Sequence, residues 1–310
     1  MLDDSAFELI AINDLYSYEQ MAYLLKYDSI YGTLKHDVNA KGNRLFVNSQ
    51  EIKFFSEKNP ANIDIKPLDI DIVLQCTGVF LTKESNIPFI ENGAKKVLVS
   101  APASDDMLTY IYGVNHKEYK HEDIISSSSC SANAIVPIFK IIDKHFGIES
   151  AMMSMYHSYT AYQHLLDNAH HSEDIRRTRS ATQNIIPLVS SAAQATSYFF
   201  PKLKEKLYAR SIRIPISSTT LYDLSIKISK VNTEENINQI LKKEISTSYT
   251  AVLDTRDEVR ESSDFIQNPH SAVVNLAFTK VAGDLLKVSA WQDNEYGYAK
   301  RLVDMAKYIS

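Results

Sequence analysis

The sequence is poor in cysteine, with only Cys76 and Cys130 among its 310 residues. The two lack the paired spacing of a zinc site and are too few for a disulfide framework. No apolar run approaches the length of a membrane span, and residues 1–12 contain neither Lys nor Arg, which excludes a secretory signal. We therefore expect a protein of the reducing cytoplasm with no membrane partner.

Dense positive charge is also missing. The net charge is -5, and no basic cluster is denser than Arg176, Arg177 and Arg179, so we expect no nucleic-acid partner. The hydrophobic content of 45% and the charged content of 23% are ordinary for a globular chain. A chain of this length can bury the cores of two domains or of one large domain.

The apolar pattern changes near the middle of the chain. Short apolar strands at residues 7–12, 71–75 and 96–100 alternate with helical patterns such as residues 18–25, which is typical of a parallel, nucleotide-binding type of sheet. Cys76, at the end of one of these strands, is expected to be packed. Beyond residue 149 longer alternating strands predict a largely antiparallel sheet, at residues 151–159, 211–215, 220–228, 273–278 and 285–291. Residues 232–244 and 298–309 predict helices.

Cys130 follows four consecutive serines and opens an apolar pattern of helical period that continues to Phe146. Ser129 is the expected N-cap of this helix. A thiol in the first turn lies at the positive end of the helix dipole, which favours the thiolate that nucleophilic attack requires.

His157 lies at the end of the strand that follows the Cys130 helix. The helix spans about 25 Å and the strand returns by about 30 Å, so the imidazole can come back to the sulfur. A histidine within reach of a cysteine can hold the thiolate as an ion pair and shuttle protons. The spacing alone also allows the alternative of a buried, inert cysteine and a hydrogen-bonded strand histidine.

A series of ordered motifs extends along nearly the whole chain: CTGVFLT, GAKKVLVSAP, SSSSCSANAIVP, YHSYTAYQ, QNIIP, SIRIP and WQDNEYGY. Together they resemble the phosphorylating, bacterial-type glyceraldehyde-3-phosphate dehydrogenase family. The resemblance implies an α/β fold with two domains. Residues 1–129 and 295–310 would form a Rossmann-type, parallel-sheet NAD-binding domain, and residues 130–294 an α+β catalytic domain with a mainly antiparallel sheet.

The resemblance also implies roles for single residues. Cys130 would be the nucleophile and His157 the base. Other positions would bind substrate and phosphate groups, namely Ser129, Ser131, Thr160, Arg179, Ser190 and Arg213. NAD would be held by Asp14, Lys58, Ser100 and Asn294, and no metal is expected. The partners would be a phosphorylated aldehyde, inorganic phosphate and further copies of the chain in a homotetramer.

The resemblance has clear departures. A Rossmann fingerprint places its glycine-rich turn about 20 residues before the ribose-binding acid, but the first glycine here is Gly32, after Asp14. The resemblance therefore predicts a domain without its first strand and glycine-rich loop, which would leave a gap in the sheet. Either the chain has diverged and lost activity, or its start has been placed too late. Near the cysteine, Ser131 and Ala132 replace two threonines, and Gln292 replaces a tyrosine.

The implied function is thiol-mediated oxidation of a phosphorylated aldehyde to an acyl phosphate with NAD. Two alternatives stay open, namely a catalytically impaired family member and an erythrose-4-phosphate dehydrogenase. A separate cluster, His164, His170 and His171 with Glu173 and Asp174, has the composition of a metal site. We prefer a solvated polar loop there.

Overall fold

The first unit of the computed structural model, which describes all 310 residues, comprises Met1–Tyr110, His116–Ser127 and Leu302–Ser310. Its helices are α1 (Tyr18–Lys26) and α2 (Lys83–Glu91). Its strands are β1 (Ala11–Asn13), β2 (Tyr27–Asp28), β3 (Gly32–Thr33), β4 (Val38–Ala40), β5 (Arg44–Val47), β6 (Gln50–Phe55), β7 (Ile72–Gln75), β8 (Lys96–Val99) and β9 (Ile124–Ser126).

The parallel strands of this unit are divided between two sheets. One has the order β1-β6-β5-β4, in which only β1 and β6 are parallel, and the other has the parallel order β7-β8-β9. Each sheet has its own apolar core, around Leu45 and Phe54 in the first and around Val97 and Val99 in the second. The expected parallel arrangement is confirmed, and β1 and β7 are both edge strands.

The second unit comprises Ile111–Asn115 and Ser128–Arg301. Its elements in chain order are α3 (Cys130–Phe146), β10 (Ile148–Ser158), β11 (Ile186–Val189), α4 (Ala192–Phe199), β12 (Leu207–Ile214), β13 (Thr220–Ile228), α5 (Glu234–Ser248), β14 (Leu253–Arg256), β15 (Ala272–Ala282), β16 (Leu285–Gln292) and α6 (Tyr296–Ile309). The last nine residues of the chain, including the end of α6, belong to the first unit.

One seven-stranded sheet organises the second unit, in the order β11-β12-β10-β13-β16-β15-β14. The pairs β10-β12 and β14-β15 are parallel and the other four pairs are antiparallel, which confirms the mainly antiparallel prediction. One face of the sheet packs on α3, where alternate residues such as Met153, Met155 and Leu224 are buried with Ile135 and Phe139. This packing fixes the start of α3 relative to the ends of β10 and β12.

None of the six helices combines the length and the apolar character that crossing a bilayer requires.

Candidate functional site

Cys130 is the first residue of α3, as the sequence predicted. The helix begins after Ser129, whose Oγ accepts a hydrogen bond from the Ala132 N–H at 3.2 Å, so the predicted N-cap is confirmed. Pro137 lies within the helix without ending it, and Gly147 closes it with a positive φ of 69°. The cap therefore fixes Cys130 as the half-buried first residue of a mostly buried helix.

The environment of the Cys130 thiol opposes its ionisation. Burial raises the pKa of this thiol, and the Ser131 hydroxyl and the Arg213 charge lower it by less. Ser131 Oγ lies 4.0 Å from Cys130 Sγ, a long contact even for sulfur. The helix start favours thiolate as expected, but loss of hydration outweighs it, and the free protein holds a neutral thiol.

His157 lies in a row of side chains that crosses four strands. In the register of the sheet, His157 on β10 is opposite Arg213 on β12 and Thr220 on β13, and Thr220 is opposite Gln292 on β16. Paired residues point to the same face of a sheet, so these four share the face that packs on α3. His157 is 5% exposed.

Arg213 determines the state of the His157 imidazole. Its Nη1 lies 2.5 Å from Nδ1 of His157 and 3.0 Å from the Ser158 carbonyl oxygen. A guanidinium can only donate hydrogen bonds, but Nδ1 also lies 2.8 Å from the Ser158 carbonyl oxygen, which can only accept. The two contacts of Nδ1 therefore favour opposite tautomers of the neutral ring. Burial, together with the Arg213 charge, lowers the pKa of His157 to about 3.

The free protein therefore differs from the imidazolium–thiolate ion pair that the spacing allowed. His157 and Cys130 are both neutral near pH 7, because burial disfavours either charge and because Arg213 already places a positive charge beside the ring. No hydrogen bond joins Cys130 Sγ to the imidazole. Arg213 connects the two, since its charge acts on the pKa of each.

Several donors without a partner occur at Arg213 and in the segment around it in sequence. Its own Nε has no hydrogen-bond partner, although the side chain is largely buried. Four buried hydroxyl groups also lack a partner within the protein: Ser211 on β12, Ser218 and Thr219 in the β12–β13 connection, and Thr220 at the start of β13. Buried donors without partners are costly, and a set of them beside a guanidinium fits a tetrahedral oxyanion.

The sequence analysis assigned a site role to none of these four hydroxyl groups. The available signal was the run Ser217, Ser218, Thr219 and Thr220, which begins two residues after the end of the SIRIP motif. Thr219 adopts a φ of 75° although it is β-branched and fully buried, a strained conformation of the kind that concentrates at functional sites.

The other predicted anion ligands have local partners. Arg179 Nε lies 3.0 Å from Asp167 Oδ2, with 61% and 59% of the two side chains exposed. Thr160 donates to the Gln163 side-chain oxygen at 3.1 Å, and Ser190 Oγ accepts from the Ala192 N–H at 3.1 Å. None of these bonds involves Cys130, so the roles of these residues stay predictions. Instead the neighbouring Arg177, which the sequence did not single out as a ligand, lies close enough to act on the Arg213 pKa.

Each predicted cofactor residue of the first unit lies just beyond the carboxyl end of a strand. Asp14 directly follows β1, Lys58 lies three residues after β6, and Ser100 directly follows β8. Open parallel sheets bind nucleotides beyond the carboxyl ends of their strands. Asp14 Oδ1 accepts from the Tyr16 N–H at 3.1 Å, and Lys58 is exposed, so a carboxylate and an ammonium fit the adenosine half of NAD.

The remaining predicted cofactor ligand lies in the second unit. Asn294 is 6% exposed, and its Oδ1 accepts from Ser158 Oγ at 3.1 Å. This bond orients the amide so that its NH₂ group is the donor still available, which fits a carboxamide oxygen. The strand and glycine-rich turn that would cradle a pyrophosphate before Asp14 have no counterpart in residues 1–10, which form neither helix nor strand.

Cys76 is exposed as a whole residue, so it does not lie in the core as expected, although local burial of the thiol raises its pKa. The strand before it, β7, is an edge strand, and β7 ends at Gln75, which leaves Cys76 beyond the covered part of the sheet.

The three histidines of the 160–180 loop pack against one another, His170 and His171 with stacked rings and His164 edge-on to His170. The rings of His170 and His171 lie 4.4 Å apart, and His164 lies 5.2 Å from His170. Tyr162 packs edge-on against His170, and Arg177 lies 4.8 Å from the Tyr162 ring centre. No group of three potential ligand side chains in the structure could hold a metal ion.

Comparison with known proteins agrees with this architecture. The family model described as the C-terminal domain of glyceraldehyde 3-phosphate dehydrogenase matches residues 129–294, and the model described as the NAD binding domain of the same enzyme matches residues 1–83. The first match alone covers more than half of the chain.

Whole-chain relatives give the same result. Glyceraldehyde-3-phosphate dehydrogenase 2 of Bacillus subtilis is 39% identical over 313 residues, which cover 100% of this chain and 91% of the relative. The Zymomonas mobilis glyceraldehyde-3-phosphate dehydrogenase is 41% identical over 311 residues, 99% of this chain and 92% of the relative. Chloroplastic glyceraldehyde-3-phosphate dehydrogenase A of Zea mays is 40% identical over 307 residues, which cover 98% of this chain and 76% of the relative. The chain belongs to the glyceraldehyde-3-phosphate dehydrogenase family.

Proposed function

We propose that this chain oxidises glyceraldehyde 3-phosphate to the corresponding acyl phosphate, with NAD and inorganic phosphate as co-substrates. The observation that carries the proposal is the grouping of Cys130, His157 and Arg213 at one end of the catalytic sheet, beside buried hydroxyl groups that lack partners. Family membership supplies the reaction class, and these residues supply the chemistry.

Cys130 begins the reaction as a thiolate that adds to the aldehyde carbon and forms a hemithioacetal. When bound, NAD accepts the hydride that this carbon then loses, and a thioester on Cys130 remains. Attack by phosphate oxygen breaks the carbon–sulfur bond, releases the acyl phosphate and regenerates the thiolate. His157 takes the thiol proton before attack, and the protonated ring stabilises the oxygen of the hemithioacetal.

Arg213 links anion binding to this chemistry. In the free protein its Nη1 lies 2.5 Å from His157 Nδ1, and together with burial its positive charge opposes protonation of the ring. A bound phosphate draws the guanidinium into a charge-assisted pair and compensates its charge. The pKa of His157 then rises toward its ordinary range, and the base becomes available when substrate is present.

Arg179, Thr160 and Ser190 complete the anion site in this proposal. Arg179 exchanges its exposed bond to Asp167 for phosphate oxygen, which costs little because exposed ion pairs contribute about 0–1 kcal/mol. Asp14 and Lys58 take the adenosine half of NAD, Ser100 lines the same crevice, and Ser129 and Ser131 flank the thiolate. Asn294 binds the carboxamide.

The chain would act as a homo-oligomer, a tetramer by its resemblance, in the cytoplasm. The face of the catalytic sheet that points away from α3 supports this. It carries exposed Met152, Tyr156 and Tyr208 and a mostly apolar groove of about 280 Å³ lined by Tyr156, Ile214, Ile216, Leu221, Ser262 and Trp291. Exposed apolar surface of this kind marks protein interfaces. Light scattering on Tyr156→Arg should show dissociation.

The decisive experiment is an NADH-formation assay with glyceraldehyde 3-phosphate, run with and without inorganic phosphate, on the full chain and on Cys130→Ala. We expect phosphate-dependent turnover that the substitution abolishes. Saturable NAD binding without turnover would instead identify a binding-only family member, and faster turnover of erythrose 4-phosphate would reassign the substrate. Equal turnover by Cys130→Ala would refute the proposal.

A further inference from the structure

Tyr222 is a buried tyrosine directly behind the cysteine. It lies on β13 with none of its surface exposed, and its Oη is 2.6 Å from Gln292 Oε1 and 3.4 Å from Ser131 Oγ. An amide oxygen can only accept, so the single phenol proton is donated to Gln292. Tyr222 Oη therefore presents lone pairs, and no proton, to Ser131.

Gln292 closes a loop of hydrogen bonds around Cys130. Its Nε2 donates to the Cys130 carbonyl oxygen at 3.2 Å, while its Oε1 holds the Tyr222 hydroxyl. Gln292 is 1% exposed, so both bonds are shielded from water. Strands β13 and β16 are thus tied to the first turn of α3 by two side chains that satisfy each other.

The Ser131 hydroxyl has one proton and two possible acceptors. One acceptor is Tyr222 Oη at 3.4 Å, and the other is Cys130 Sγ at 4.0 Å. A hydrogen bond to the sulfur favours the charged thiolate, and a hydrogen bond to the phenol oxygen does not. The choice that Ser131 makes therefore affects how easily the thiol ionises.

We propose that Tyr222 and Gln292 are positioning residues that draw the Ser131 proton toward the phenol oxygen and so weaken its hydrogen bond to the Cys130 sulfur in the free protein. This inference rests on the proposed role of Cys130 as the nucleophile. The other ionisable groups near the sulfur are Arg213 on β12 and His157, which is bonded to Arg213 from β10. Neither competes for the Ser131 proton, because Arg213 is only a donor and the hydrogen-bond contacts of Ser131 Oγ are with Cys130 and Tyr222, not with His157.

The test is the pH dependence of iodoacetamide alkylation of the full chain, followed on the separate Cys130 and Cys76 peptides. In Tyr222→Phe the Ser131 proton has only the sulfur as acceptor. We expect the Cys130 pKa to fall by about 0.5–1 pH unit, so that alkylation near pH 7 is about three to ten times faster. Cys76, which belongs to the other unit, should be alkylated at an unchanged rate.

Two further variants separate this role from a loss of packing. Tyr110→Phe removes another buried tyrosine hydroxyl, the one bonded to Glu122 at 3.1 Å, and should leave Cys130 alkylation unchanged. In a Ser131→Ala background, Tyr222→Phe should have no effect on the Cys130 pKa, because the proton at issue is gone. An effect of Tyr222→Phe that persists in this background would overturn the proposal, as would an unchanged or raised pKa in the single variant.

Gln292→Met provides a second route if Tyr222→Phe does not fold. Without Oε1, the phenol proton turns to Ser131 Oγ and releases the Ser131 proton to the sulfur, so the Cys130 pKa should again fall. An unchanged value would count against the inference. Alkylation does not require turnover, so this result remains interpretable even if Cys130 proves not to be the nucleophile in the oxidation assay.

Discussion

Arg213 and His157 occupy opposite positions on the parallel strands β12 and β10, and Nη1 of the arginine lies 2.5 Å from Nδ1 of the histidine. Burial of the imidazole, and in second place the fixed positive charge beside it, oppose protonation of the ring and lower the His157 pKa to about 3. The same charge favours the Cys130 thiolate. One arginine therefore acts in opposite directions on the two groups that the chemistry requires.

Replacing this charge tests the coupling. In Arg213→Gln the pKa of His157 should rise by about one pH unit or more, because the repulsive charge is gone while the burial remains. The Cys130 pKa should rise as well, because its attractive partner is lost. Histidine titration by NMR measures the first shift and pH-dependent alkylation the second. Arg210→Gln, an exposed position on the same strand, is the matched control, and equal shifts in both variants would contradict the coupling.

The low pKa of His157 also predicts an acid-sensitive fold. The unfolded chain takes up a proton at this histidine below about pH 6.5, and the folded chain does so only near pH 3. The unfolded state therefore binds more protons between these values, and stability falls as the pH falls through this window. The loss is about 1.4 kcal/mol per pH unit, or about 2 kcal/mol between about pH 7 and pH 5.

Urea unfolding of the wild-type chain and of His157→Gln at these two pH values measures the contribution. The acid-induced loss of unfolding free energy should be about 2 kcal/mol smaller in the variant, whatever its stability at neutral pH. The same acid-induced loss in both proteins would show that His157 takes up its proton without cost in the folded state.

The local structure around the cysteine could be predicted from the sequence. The helix from Cys130 to Phe146 has its predicted ends, and β13 has its predicted bounds, since a cap, an apolar period and a closing glycine are all local signals. Residues 7–12 were a predicted strand, but only Ala11–Asn13 form β1. The partner strand β6 pairs only with residues 11–13 of this segment, through residues 53–55, and no local pattern indicates where such a pairing ends.

The protonation states at the site could not be predicted in the same way. They depend on Arg213, which is 56 residues from His157 in sequence and meets it only through the β10–β12 pairing. Burial of the thiol likewise results from packing of the whole second unit. The dipole of α3 is a local property and was foreseen, whereas the desolvation that outweighs it is not local.

Arg179 should be important for substrate binding and unimportant for stability. Both side chains of the ion pair between Arg179 and Asp167 are exposed. Arg179→Gln should therefore change the free energy of unfolding by less than about 1 kcal/mol. If Arg179 binds phosphate during turnover, the KM for glyceraldehyde 3-phosphate or for inorganic phosphate should rise about tenfold or more, because a charge-assisted bond is lost. Steady-state kinetics with each substrate varied in turn gives this result.

Arg176→Gln is the control for that measurement. Arg176 lies three residues earlier, and its bidentate bond to Asp174 and its bond to the Pro187 carbonyl oxygen use its donors within the loop. Its KM values should stay near those of the wild type. An unchanged KM in Arg179→Gln would remove Arg179 from the anion site and leave Arg177 as the candidate there.

The division of the parallel strands of the first unit between two sheets predicts an uneven pattern of hydrogen exchange. Strand β7 is paired only with β8, so its other edge has no strand partner. Strand β9 is also terminal, but its outer edge is covered, since Ser126 accepts from the Tyr110 N–H at 2.8 Å and donates to the Leu108 carbonyl oxygen at 2.9 Å. Uncovered edge amides exchange without the breaking of a hydrogen bond between strands. Residues 72–75 should therefore exchange faster than residues 124–126, and residues 96–99 should exchange slowest.

Native-state hydrogen exchange followed by mass spectrometry resolves the three strands. Equal protection of β7 and β8 would mean that another segment pairs with the β7 edge in solution, and the two sheets would then be joined.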